Sequence, residues 1–395
     1  MSLKFLTAGE SHGPAITAIL EGFPAGVKID PAHIAAEMRR RQVGAGAGPR
    51  MKLENDRVRI LSGSMAGVST GAPIAILIEN ENHAKWKGKE IAAFSTPRPG
   101  HADLTGAVKY GYSDLRPALE RASARETAAR TAVGALCKSL LANFGIQIGG
   151  YVCSIAEVEA RVEPIDLRER LRIAENNDLR CPDVLAAEQM RTHIRQAMDA
   201  RDTLGGTIEV VALGVPVGLG SFSQWDKRLE ARLGAALLSI PAIKGVEIGE
   251  AFANSRLPGT QAHDAIQLNG KALQRTSNRA GGIEGGISNG QPILLRAAMK
   301  PIASTLTPQQ TVDLASGLPA ETVYERSDFC PVPRAVVVAE AMTAFVLADA
   351  LLEKLGGDSL SEMLPRYKAL PGANLNDLHI RADKNIYWPD DQEPA

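Results

Sequence analysis

Apolar positions along the chain recur at two spacings, and the alternation between them lays out the elements. The stretches 58–61, 73–78, 207–217 and 292–296 are short, rich in Val, Ile and Leu, and flanked by turn formers, as strands are. A further short strand over 3–8 precedes Gly9. Helical spacing marks 31–41, 117–143, 167–177, 182–200, 225–239, 308–317 and 334–355. Asp30 followed by Pro31 suits a helix start. Ser123 and Glu126 have the spacing of a capping box, ahead of Ala129, Val133, Leu136 and Leu140, and Gly145 marks the stop. The last helix is apolar on nearly every side. Glu340 and Asp349 interrupt it, which fits a core helix covered on both faces better than a membrane span.

The order of elements favours antiparallel pairing over a doubly wound parallel sheet, so the expected class is α+β. No internal repeat or linker divides the chain. It reads as one interwoven domain over 1–368 and a polar, Pro- and Asp-rich tail over 369–395. Composition narrows the function. With 395 residues, 45% of them hydrophobic, the chain can bury a large core. Aromatic residues make up only 4% and the net charge is -1, against a stacking surface for nucleic acid or a basic face for membranes. Four scattered cysteines without metal-ligand spacing predict reduced thiols in a cytoplasmic protein and no structural metal.

Six stretches carry candidate chemistry. Gly9-Glu10-Ser11-His12-Gly13 places a histidine between two glycines, either a site or a plain β-turn. Arg98-Pro-Gly-His101-Ala-Asp103 holds a second histidine in a rigid turn, and two such groups suit paired proton transfer. Arg121-Ala122-Ser123-Ala124-Arg125-Glu126 sets arginines at a helix start, where unpaired N–H groups attract anions. Arg39-Arg40-Arg41 and Arg50 bracket a glycine-rich loop that matches no nucleotide fingerprint. The glycine- and amide-dense loop 280–292 is either a ligand cradle or a hairpin, and the strand after it ends at Met299-Lys300-Pro301-Ile302-Ala303-Ser304. Finally, Arg326 and Asp328 share a face if extended, as a poised base or as an ordinary ion pair.

Taken in order, GESHG, the RRR-Q-x-G-x-G loop, RPGHAD, ERASARE, GGIEGGISNGQPI, MKPI and ERSD resemble the chorismate synthase family from about residue 3 to 355. The resemblance implies helices sandwiched between two largely antiparallel sheets, a homotetramer and bound reduced FMN. It implies a lyase that eliminates phosphate from 5-enolpyruvylshikimate 3-phosphate to give chorismate, with NADPH as a candidate reductant. By the same resemblance His12 would protonate the departing phosphate and His101 would keep the reduced flavin correctly protonated. Asp328 would assist proton removal through flavin N5. Ser11, Arg41, Arg50, Arg98 and Arg125 would hold substrate. Arg121, Ala122, Ser123, Pro241, Ala242, Gly285, Lys300, Pro301, Ile302, Ala303, Ser304 and Arg326 would contact FMN.

The chain departs from the family pattern at Ala47, where an arginine is expected, and at Val68, where a lysine is usual. One lost charge-assisted contact is worth about 1.5–3 kcal/mol, so weaker substrate binding is expected. A flavin reductase on the same site, or a non-catalytic FMN- or anion-binding relative, are the alternatives.

Overall fold

The computed structural model describes residues 2–47, 56–325, 327–385 and 387. Arg50 and Arg326 lie outside them. Two antiparallel sheets flank the main helical layer, and the helix Leu167–Glu175 covers part of the far face of the second. The first has four strands in the order Lys4–Ala8, Ala15–Glu21, Ile74–Glu79, Val58–Ile60. The second has five, in the order Ile243–Ile248, Ile293–Met299, Gly206–Leu213, Gln147–Ile155, Val158–Glu159. Every pairing within both is antiparallel. One face of Ala15–Glu21 and Ile74–Glu79 carries the buried Ile16, Ala18, Leu20, Ile74, Ile76 and Ile78; period-2 alternation sends the polar residues to the other face.

Helices fill the space between the sheets. Thr127–Ala142 packs against Ala15–Glu21, and Val332–Leu355 lies on Gln147–Ile155 and Gly206–Leu213. The two helices also pack on each other, and Gly134 makes this possible: a Cβ there would stand 2.2 Å from the Cβ of Ala341. Val332–Leu355 is long and apolar enough to cross a membrane, with mean hydropathy 2.0, yet 89% of its most apolar window is buried inside the protein. It touches apolar neighbours all round, which explains why it shows no polar stripe.

One polar cluster sits in this interior. Glu340, fully buried in the long helix, meets Arg40 (2.7 Å) and Lys138 (2.5 Å), and both cations also bind Glu37, at 2.9 and 2.6 Å. Glu37 and Arg40 belong to the helix Pro31–Gln42, so four charges tie three helices together. Burial alone would raise the Glu340 carboxyl, but Arg40 and Lys138 outweigh it and hold it down to about 2.

Two expected helices come out differently. The segment 308–317 forms a β-hairpin, Gln310–Asp313 with Leu318–Glu321, turning at Gly317 with φ +72°. Thr311 and Val312 are β-branched, and Thr311 Oγ1 donates to Pro97 O (2.7 Å), so tertiary docking favours the extended form. The helix expected over 117–143 is interrupted: Arg116–Arg121 ends, a single 3-10 turn covers Ala124–Glu126, and Thr127–Ala142 resumes. No capping box forms. Ser123 Oγ accepts from Arg125 N (3.3 Å), while Glu126 accepts from Thr7 Oγ1 (2.8 Å) and pairs with Arg130 (2.8 Å). In the tail, Leu273 N donates to Ala373 O (2.8 Å) and Leu375 N to Lys271 O (2.9 Å), joining it to the hairpin Ile266–Asn269/Ala272–Arg275.

Candidate functional site

A cavity of about 510 Å³ opens at the end of the helical layer where the long helix begins and the interrupted helix resumes. Of the residues expected at a site, Ser11, His12, Arg41, Arg98, His101, Ala122, Ser123, Arg125, Pro241, Ala242, Lys300, Ile302, Ala303, Ser304 and Asp328 line it. Seven separate parts of the sequence therefore meet at one place. Three expected residues do not line it. Arg121 turns to the first strand and donates to Thr7 O (2.9 Å) and Thr7 Oγ1 (2.8 Å). Gly285 sits in the tight turn between Ile283–Glu284 and Ile287–Ser288, and Pro301 stands behind Lys300 and Ile302.

Each histidine is held by a carboxylate. His12 Nδ1 lies 2.8 Å from Glu120 Oε1, and its backbone N–H donates to Glu120 Oε2, also at 2.8 Å. Trp86 packs on the His12 ring with centroids 4.4 Å apart. His101 Nδ1 lies 2.6 Å from Oδ1 of Asp103, whose side chain is completely buried. Asp103 also takes Arg98 Nε (2.8 Å) and the Arg98 backbone N–H (3.0 Å), and Arg98 Nη1 donates to Ser304 Oγ (2.9 Å). Burial would raise both carboxyls. The bonds from His101 and Arg98 hold Asp103 well below the usual range, and those from His12 hold Glu120 below it.

Three guanidinium groups crowd the opposite wall. Arg41 and Arg125 both donate to the fully buried Asp56, one to each carboxylate oxygen. Arg125 Nε also donates to Asn80 Oδ1 (2.8 Å). Arg334 pairs with Asp328 and donates through Nε to the Arg41 carbonyl (2.8 Å). Among the described residues, three cations and two carboxylates meet there. Burial depresses the Arg41 guanidinium; Asp56 opposes that, while Arg334 and Arg125 add to it. Among the described residues Arg41 Nε is buried without a hydrogen-bond partner. Such a wall is built to receive an anion. Lys300 lies nearby, its ammonium lowered by burial and then by Lys244.

The other wall is apolar, made by Leu119, Ile240, Pro241, Met299, Ala335 and Val338. Glu120, Asp103, Asp56, Trp86 and Arg334 were not singled out from sequence for the work they do here. Asp103 and Glu120 flank recognised motifs, whereas Asp56 and Arg334 become visible only when distant segments meet.

The glycine-rich loop touches this site through its backbone. Phe329 N donates to Gly46 O (2.9 Å), and a Cβ on Gly46, at φ +78°, would stand 2.8 Å from the Cys330 Cβ. Ala47 therefore stands close to the chain that carries Asp328. Val68 lies in the small hairpin Ser64–Met65/Val68–Ser69 and does not line the cavity.

Comparison with known proteins agrees with this arrangement. The family model described as chorismate synthase matches residues 3–352. A chorismate synthase of Desulforudis audaxviator (strain MP104C) is 50% identical over 377 residues, 93% of this chain and 96% of the relative. One from Chlorobaculum tepidum is 48% identical, covering 97% of this chain and 100% of its own length. A solved structure described as a crystal structure of chorismate synthase superposes with a TM-score of 0.76 at 44% identity, covering 93% of this chain and 97% of that one. The layered α+β architecture is thus the one that family uses. The chain belongs to the chorismate synthase family.

Proposed function

We propose that the cavity binds reduced FMN and 5-enolpyruvylshikimate 3-phosphate, and that the chain is a lyase of the shikimate pathway forming chorismate and phosphate. One observation carries the reading: two carboxylate-held histidines and a cation-rich wall enclose the same cavity. The residues fit both ligands. The apolar wall suits a planar ring system, and Arg41, Arg125 and Arg334 together suit a phosphorylated diacid.

Expelling phosphate from one carbon and a proton from another needs charge neutralisation at both ends. Arg41, Arg98 and Arg125, with Ser11, hold the substrate's anionic groups, and Arg50 belongs to the same set by its motif. His12 donates a proton to the departing phosphate, where Glu120 steadies the ring. His101 governs the proton on the cofactor side, and Asp328, oriented by its ion pair with Arg334, assists removal of the ring proton. Ala122, Ser123, Pro241, Ala242, Lys300, Ile302, Ala303 and Ser304 cradle the flavin; Arg121, Gly285, Pro301 and Arg326 join them through motif resemblance alone. Reduced FMN, when bound, supplies electron density to the allylic system and receives it back with no net oxidation.

Anaerobic incubation with chemically reduced FMN and the substrate is expected to release phosphate and chorismate together. No release at any substrate concentration overturns the reading. Substituting NADPH and oxidised FMN tests whether the chain reduces its own flavin. We also propose a cytoplasmic homotetramer. Exposed Leu6 and Ile19 on the open face of the first sheet, and exposed Phe222 and Trp225, support it, and analytical ultracentrifugation checks it.

A further inference from the structure

The two histidines share a device. In each, Nδ1 lies within hydrogen-bond distance of a carboxylate oxygen, at 2.8 Å for His12 with Glu120 and 2.6 Å for His101 with Asp103. An ionised carboxylate has only lone pairs to offer, and a bare imidazole nitrogen at that distance would repel it. Donors other than the rings favour both carboxylates in ionised form, Arg98 Nε and Nη2 at Asp103 and the His12 backbone N–H at Glu120, so the proton on each contact belongs to the ring.

We propose that Glu120 and Asp103 are paired positioning residues that fix both histidines as Nδ1–H tautomers. The nitrogen not engaged by the carboxylate, Nε2, is then the one through which each ring exchanges protons. The assignment rests on the proposed roles of His12 and His101.

The two carboxylates reach this end by different routes. Glu120 closes the helix Arg116–Arg121 and grips the Gly9–Gly13 turn three times: its backbone carbonyl takes Ser11 N–H (3.2 Å), and its two oxygens take His12 N–H and Nδ1–H. Ring and backbone are thus oriented by one side chain. Asp103 opens the helix Asp103–Tyr110 and is wrapped by Arg98, whose Nη2 lies 3.0 Å from the same Oδ1 that receives His101. Arg98 Nη2 also stands 2.9 Å from His101 Nδ1 and 3.3 Å from Nε2. Because that Nη2 also reaches Asp103 Oδ1, its N–H serves the carboxylate, and the ring Nδ1–H shares the same oxygen.

The test is nitrogen NMR of the full chain labelled with 15N-histidine, with and without oxidised FMN, together with steady-state kinetics. Wild type is expected to show His12 and His101 as Nδ1–H tautomers in their neutral forms. In Asp103→Asn and Glu120→Gln the amide can instead donate to Nδ1, so the matching resonance shifts toward the Nε2–H form while the other histidine is unchanged. The same variants are expected to lose roughly 10²–10⁴-fold in kcat with KM within about threefold. Glu120→Asp and Asp103→Glu, which keep the charge, restore part of the lost kcat. If Asp103→Asn does not fold, the wild-type tautomers and Glu120→Gln still decide the matter. Nε2–H tautomers in wild type, or unchanged kcat in a variant whose tautomer has switched, overturn the proposal. A protein that shows the expected tautomers but makes no chorismate leaves this assignment standing and rejects the function instead.

Discussion

Two groups of buried charges, reached from adjacent positions of the helix Pro31–Gln42, do opposite work in this protein. In the interior, Glu37, Glu340, Arg40 and Lys138 form a set of two anions and two cations, each carboxylate met by both cations, and the pair Glu175 and Arg180 closes it at its outer edge through Arg40. At the cavity, Arg41, Arg125 and Arg334 crowd around Asp56 and Asp328, and one buried N–H of Arg41 has no partner among the described residues. A balanced cluster satisfies itself and can only hold helices together. A set with more cations than carboxylates among the described residues suits an anionic ligand, as the proposed function requires.

Breaking the closed set gives the largest expected effect. Glu340→Ala leaves Arg40 and Lys138 buried with one carboxylate between them and should cost about 3–5 kcal/mol of stability in urea titration. Substrate KM in the fraction that remains folded should rise only modestly, because Pro31–Gln42 carries Arg41 as well as Arg40. Arg125→Ala should do the reverse, lowering kcat/KM by roughly 10²–10³-fold with a smaller shift in the unfolding midpoint. Equal losses of stability in the two variants would erase the distinction between the groups.

Acid sharpens it. Glu340 ionises near 2 in the folded protein against an ordinary 4.5, so between those values the unfolded chain binds more protons than the folded one. The stabilisation is complete above about pH 4.5 and disappears as pH falls toward 2. Roughly 2–3 kcal/mol should be lost over that window, and Glu340→Gln should flatten the urea midpoint plotted against pH. The smallest effect concerns the cavity rim. Ala47→Arg should raise kcat/KM by about tenfold to a hundredfold through one added charge-assisted contact, read in the anaerobic chorismate assay. No gain would mean that the present cations already meet the substrate's charge.

The same contrast marks how far the sequence could be read. His12, His101, Arg41, Arg98 and Arg125 stand in motifs whose residue order is itself informative, and all five reach the cavity. Antiparallel layering and the all-round apolar last helix also follow from local pattern. Glu37, Lys138 and Glu340 look like ordinary solvated charges in sequence, because nothing local says that three helices converge on them. Asp56 and Arg334 are hidden for the same reason. The strand Gln147–Ile155 escapes notice because Gly149 and Gly150 break its apolar run; added Cβ atoms would meet Leu171 Cδ2 at 3.0 Å and Glu209 O at 2.8 Å. The hairpin at 310–321 was masked by spacing that suits either state, and only docking on Pro97 decides it.

Arg40 and Arg41 are neighbours in sequence that point into different chemistry, one to the closed cluster and one to the cavity. A turn of Pro31–Gln42 about its own axis cannot release one without dislodging the other. Heat tolerance and grip on the anion are therefore mechanically linked through a single peptide bond. Selection or engineering that loosens the interior salt network should surface as altered substrate affinity, even when no residue at the cavity has changed.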